Sequence, residues 1–178
     1  MAVEAFKNEI LDTTNIPDAD HIDFKALDRK FSRQLILEWS LIWLLPTIGW
    51  TVLYGLGKIE SSVLSGFWPH FLPLLLLAPI FLVAPLHARH CGYAVRDHDI
   101  HYKTGVIWRK RIALPFCRVQ HVEIERNPFE RMLGLATLKC FTAGGGSADM
   151  KIPALDMQTA NSLKVYILGR AGDNDDRA

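Results

Sequence analysis

Histidine and cysteine are the side chains most able to bind a metal or attack a substrate, and this chain of 178 residues gathers several of them in its second half. His87, His90 and Cys91 fall at a helical spacing that could converge on one ion, and His98, His101 and His121 follow in the same region. The constellation is incomplete. Zinc sites pair ligands in both halves of a motif, whereas Cys117 and Cys140 stand alone. No Ser, His and Asp set has the context of a nucleophile. The run Gly144 to Gly146 suggests phosphate binding, yet it lacks the lysine and Ser/Thr of a P-loop and opens no helix, so a hairpin turn is the better reading. Catalytic residues, metals and cofactors are therefore not expected, and the chain does not read as an enzyme.

Charge is the stronger clue. Residues 88–170 carry thirteen Lys and Arg against seven Asp and Glu, a formal +6, while the whole chain carries +1. Lys103, Arg109, Lys110, Arg111, Arg118 and Arg131 are the candidate binding residues, for anionic lipid or for a protein partner. Basic groups near an anionic leaflet contribute about 1 kcal/mol each. The plain alternative is a solvated basic face. Nucleic acid is not expected, because no base-reading motif appears.

The elements that position these residues begin with an anchor. Trp39 to Gly57 and Ser61 to Leu86 contain no Asp, Glu, Lys or Arg. Each is about as long as the roughly 20 apolar residues needed to cross a 30 Å hydrocarbon core. Two buried helices of a soluble core would be the alternative, but a chain this short rarely hides two neighbouring runs of that length. A signal peptide does not fit, since an acidic, mixed-charge segment precedes the first run. The expectation is a transmembrane hairpin over 34–87, with spans near 35–57 and 66–87, and a hydrophobic content of only 49% because the average mixes anchor with polar regions.

Lys25, Arg29, Lys30 and Arg33 precede the first span, Arg89, Arg96 and Lys103 follow the second, and only Lys58 lies between. Positive charge favours the cytoplasmic side, so both termini are expected there. Glu38 and His70 lie near span starts, where Glu38 can reach water or pair with Arg33 or Lys30, a structural rather than functional role. Pro46 in the first span and Pro69, Pro73, Pro79 and Pro85 in the second predict kinks and packing on a neighbour. Residues 1–33, with seven acidic and five basic residues, read as a partly ordered tail, although a helix starting near Asp28 could run into the first span. Residues 171–178 read as a polar tail.

After the anchor the period changes. Tyr93 and Val95, then Ile100 and Tyr102, alternate with polar residues; Gly105 offers a turn; Val106 to Leu114 continues in β-forming residues, and Val119 to Glu125 and Leu135 to Thr142 repeat the pattern. Pro128 to Leu133 predicts a helical turn ended by Gly134, and Met150 to Ile152 a short strand. Asp156 is a good N-cap for a last helix carrying Ala160, Leu163, Ile167 and Leu168. Strands closed by one helix predict a small antiparallel barrel, with the Pro128 turn plugging one end.

The segments HDIHYKTGVIWRK (98–110), LPFCRVQHVEIERNPFERMLGLATLKCFTAGG (114–145) and IPAL (152–155) resemble the bacterial pleckstrin-homology-like (PH-like) domain of membrane-anchored proteins in their YdbS-like form. The resemblance covers nearly the whole chain. It implies an α+β membrane protein: a two-helix transmembrane hairpin followed by a PH-like barrel over 88–170, capped by a C-terminal helix, in the bacterial inner membrane. It implies a non-enzymatic interaction or assembly module for a membrane protein complex, with a larger multi-PH-domain membrane protein as one candidate partner. Sensing of anionic lipid is the alternative, and self-association stays open.

Overall fold

The computed structural model describes residues 22–57, 68–144 and 147–175. The expectations for residues 1–21, for the loop with Lys58, for Gly145 and Gly146, for the last three residues and for the His70 side chain lie outside what it describes. The order is β1 (Lys25–Ala26), α1 (Lys30–Gly55), α2 (Trp68–His90), β2 (Gly92–Val95), β3 (Asp99–Thr104), β4 (Lys110–Pro115), β5 (Val119–Glu125), α3 (Pro128–Leu133), β6 (Leu135–Thr142), β7 (Met150–Asp156) and α4 (Met157–Asp175).

α1 is the one helix among the described residues that is long and apolar enough to cross a membrane by length and composition. Leu41, Ile42, Leu45 and Ile48 are exposed, so almost none of its apolar stretch is covered by the protein. Water is a poor solvent for such a surface. α2 packs along α1, with His87 lying against the rings of Phe31 and Trp39, and α2 continues as one helix through Pro73, Pro79 and Pro85.

The strands form two antiparallel sheets, β1-β2-β3-β4 and β5-β6-β7, and not one closed barrel. Closure would require β4 to pair with β5 and β1 with β7. A 3-10 turn at Phe116–Arg118 separates β4 from β5 and buries Phe116, whose ring meets that of Tyr166 edge-on at 5.8 Å. The inner faces share one core: Ile100, Tyr102 and Leu114 from the first sheet meet Val122, Leu138, Cys140 and Ile152 from the second. α4 lies over this turn and over β5, β6 and β7, burying Ala160 and Ile167. Its first turn is capped as the sequence predicts, the Thr159 N–H donating to Asp156 Oδ1 at 2.8 Å. These bonds stabilise the ionised carboxylate and hold Asp156 below the usual carboxylate range. α4 also continues beyond residue 170 to Asp175, where sequence reading places a tail.

The segment before the anchor is not a tail from residue 25 onward. Lys25 pairs with Tyr93 and Ala26 with Gly92, which adds β1 to the edge of the first sheet. Leu27, Phe31 and Leu35 are buried in the same core. The Asp28 N–H donates to the Ala154 carbonyl at 3.3 Å, and Ala154 itself adopts a left-handed conformation, φ 55°, uncommon for a residue with a Cβ.

Candidate functional site

Two regions bring polar chemistry to the boundary between anchor and domain. The first is α3. Asn127 and Glu130 cap it reciprocally: the Glu130 N–H donates to Asn127 Oδ1 at 2.7 Å, and the Asn127 N–H donates to Glu130 Oε2 at 2.9 Å. Pro128 at the first helical position and Gly134 in a left-handed C-cap, φ 74°, set its ends. The helix does not plug a barrel; it packs on α1.

That packing is polar. Glu130 is 2% exposed, and its Oε1 accepts from Thr137 Oγ1 at 2.5 Å and from Gln34 Nε2 at 3.5 Å. The same Gln34 amide donates to Glu38 Oε1 at 3.0 Å, which also accepts from Asn127 Nδ2 at 2.9 Å. Two carboxylates, one from α1 and one from α3, are thus bridged by the Gln34 side-chain amide and by Asn127, whose side chain donates to Glu38 and whose backbone N–H donates to Glu130. Lys30 donates to the Leu133 carbonyl at 3.1 Å, satisfying the end of α3. Glu38 therefore finds its partners in Gln34 and Asn127, not in Arg33 or Lys30. Buried polar groups joined in this way favour one arrangement, because a shift costs hydrogen bonds in a low dielectric, although Gln34 Oε1 is itself buried without a partner among the described residues.

The second region is the β3–β4 hairpin. Its register, Gly92 with Lys103, Lys103 with Arg111 and Thr104 with Lys110, sets Lys103, Arg109, Lys110 and Arg111 around one turn. Lys103 is partly engaged: its ammonium lies 4.5 Å from the centroid of the Phe24 ring. Val106 to Arg109 belong to the turn and not to the strand that their composition suggests. Gly105, at φ 98°, starts it, and a Cβ there would collide with the Trp108 carbonyl oxygen. Ile107 and Trp108 are 83% and 87% exposed, the two most exposed large apolar side chains among the described residues. Three consecutive apolar residues between basic ones break the period of two, and this signal identifies the tip in retrospect.

The other candidates lie apart. Arg118 follows β4 at the opposite end of the first sheet, and Arg131 is exposed on α3. The histidines and cysteines diverge: His90 bonds the Leu86 carbonyl, Cys91 lies 3.3 Å from Thr104 Oγ1, His101 lies 3.2 Å from Asp99, and His121 bonds Glu123 at 3.1 Å. Among the described residues no three metal-ligating side chains gather. Burial pushes the Cys140 thiol up to about 11, which removes it as a nucleophile near neutral pH. An open groove of about 830 Å³ runs between β2 and α4, lined by Asp23, Lys25, Tyr93, Asp156, Thr159 and Tyr166 among others.

Two sheets around one core, a closing helix and an attached apolar helix define a PH-like module carried on a membrane segment. Residues 36–171 match the family described as bacterial PH domain, and the chain belongs to that family. It is 30% identical over 146 residues to the UPF0699 transmembrane protein YdbS of Bacillus subtilis (strain 168), a match covering 75% of this chain and 90% of YdbS. It is 24% identical over 83 residues to the UPF0699 transmembrane protein YdbT of the same organism, covering 46% of this chain and 17% of YdbT. No solved structure gives a significant match. The matched region begins inside α1, so β1 and Leu27, Phe31 and Leu35 of the domain core precede it.

Proposed function

We propose that this chain is a non-enzymatic, two-span protein of the bacterial inner membrane whose PH-like domain serves as an assembly module for a membrane protein complex. The observation that carries this reading is the bridged set Gln34, Glu38, Asn127 and Glu130, which holds the domain in one pose on α1. A catalyst on a tether needs no such fixation, whereas a module that must present one surface to a neighbour in the same membrane does. The excess of basic residues on both sides of the hairpin, with Lys58 alone between the spans, supports an orientation with both termini in the cytoplasm. A longer chain of the same family is the candidate partner, since related sequence occupies a small part of the length of YdbT.

Affinity purification of the full-length protein in mild detergent, followed by mass spectrometry, tests the reading. A stoichiometric membrane partner, or self-association, is expected. Recovery of this chain alone would sink it. Asn127→Ala should then reduce partner recovery without releasing the chain from the membrane, because it loosens the pose and spares the spans.

A further inference from the structure

The exposure of Ile107 and Trp108 has no explanation within the fold, and their place in the sheet supplies one. α2 ends at His90 and β2 starts at Gly92, so the first sheet is attached to the anchor at that end. β2 runs away from α2, and β3 returns antiparallel until Lys103 lies beside Gly92. The turn that follows must project back alongside α2, and β3 packs against that helix. At about 3.3 Å per extended residue the tip reaches at most roughly 10 Å past Gly92. At about 1.5 Å per helical residue, that is the level of roughly Pro85 on α2. The charge-free stretch of the second span ends at Leu86. The most exposed tryptophan and isoleucine among the described residues therefore lie within reach of the depth where the hydrocarbon would begin. Exposed Arg89, Arg109 and Lys110 stand at the depth of the headgroups.

We propose that the β3–β4 turn is a wedge that inserts into the anionic leaflet from which α2 emerges, with Ile107 and Trp108 entering the boundary between headgroups and acyl chains and Arg89, Arg109 and Lys110 among the phosphates. Tryptophan suits that boundary because one end of its ring system is apolar and the other donates a hydrogen bond. Gly105 makes the wedge possible by folding the turn tightly enough to present adjacent apolar side chains on its outside. The partner is the bilayer itself, and the wedge is distinct from the protein contact proposed above. It rests on the reading of α1 and α2 as membrane spans, which alkaline carbonate extraction of native membranes tests separately.

The wedge is tested with the full-length chain in nanodiscs, using an environment-sensitive fluorophore on Trp108→Cys in a Cys117→Ser background. Native Cys117 is exposed at the opposite end of the sheet and provides the control position, while Cys91 and Cys140 are buried. With phosphatidylglycerol present, a nitroxide lipid should quench the probe at position 108 and aqueous iodide should not, with the reverse at Cys117. Arg109→Glu combined with Lys110→Glu should lower the ratio of inserted to withdrawn probe by at least about tenfold. Ile107→Cys gives a second labelling position if the first variant folds poorly. Iodide access at 107 and 108 equal to that at Cys117 in every lipid overturns the proposal. So does iodide access in nanodiscs with protection in native membranes, which would assign the tip to a protein partner. Equal insertion into phosphatidylcholine alone, unaffected by charge reversal, overturns the anionic requirement.

Discussion

The α3 junction and the β3–β4 turn are both rich in charged and polar residues beside the anchor, and they are built in opposite ways. At α3 the polar atoms turn inward: Glu130 is buried and accepts from three donors, and Lys30 caps the helix end. At the turn the apolar groups face outward, with Ile107 and Trp108 more exposed than any large apolar residue of α1. The first arrangement fixes where the domain sits. The second leaves a surface for something outside the chain. Residue type alone would not separate them, because the distinguishing variable is which side of each element the fold covers.

The largest effect is expected where the wiring is densest. Glu130→Ala leaves the Asn127 N–H, the Thr137 hydroxyl and the Gln34 amide short of an acceptor in a buried site, and removes half of the capping box. A loss of about 3 kcal/mol is expected, read as the midpoint of thermal unfolding of the full chain in detergent. Glu130→Gln should lose less, since it keeps one carbonyl acceptor. Equal midpoints for Glu130→Ala and the parent would show that the junction contributes nothing to the fixed pose.

Next comes Gly105→Ala. A side chain at φ 98° that also meets the Trp108 carbonyl should cost about 1–3 kcal/mol or open the turn. The sharper readout is the tip, since a reopened turn should change the environment of a probe at 107 while leaving the α3 network intact.

Asp156→Ala, far from both regions in role, should cost about 1 kcal/mol through the lost cap of α4. Its carboxyl is held below the ordinary value, so its contribution is present above the unfolded pKa near 3.8 and is lost as pH falls through the lower folded value. The difference in midpoint between parent and Asp156→Ala should therefore shrink as pH is lowered below about 4. A difference that grows with acid would refute the capping role.

The smallest effect belongs to the tip itself. Trp108→Ala and Ile107→Ala should change the unfolding midpoint in detergent by less than the equivalent of about 0.5 kcal/mol, because neither side chain packs on the domain. A large destabilisation would mean that the tip is part of the core and would erase the contrast with α3.

Local chemistry was the legible part. The Asp156 cap, the turn from Pro128 to Gly134 and the alternation at Tyr93, Ile100, Tyr102 and Val122 are short-range signals, and the structure follows them. Pairings between distant residues were not legible. β1 is two residues long with no period to read, and it exists because Lys25 meets Tyr93 across the whole anchor. Closure into a barrel depends on whether β4 finds β5 and β1 finds β7, which strand composition does not encode. Gln34 and Glu130 are 96 residues apart, so neither announces the other. The six basic candidates share a charge but not a place: Arg118 separates from Arg109 and Lys110 only once the antiparallel register is known.

The position of β1 also bears on biosynthesis. Its partner strand is made only after both α1 and α2, so the ribosome completes the edge of the first sheet long after it has released the residues that form that edge. With α1 and α2 in the bilayer as proposed, correct insertion is what returns Lys25 to the side of the membrane where Tyr93 emerges. A nascent chain whose helices stall outside the bilayer would leave the edge of β2 bare and Leu27 and Phe31 without their pocket, a state that proteases attack. Limited proteolysis of chains synthesised with and without membranes should show the region around Lys25 becoming resistant only when membranes are present, so that completion of the domain acts as a check on its own insertion.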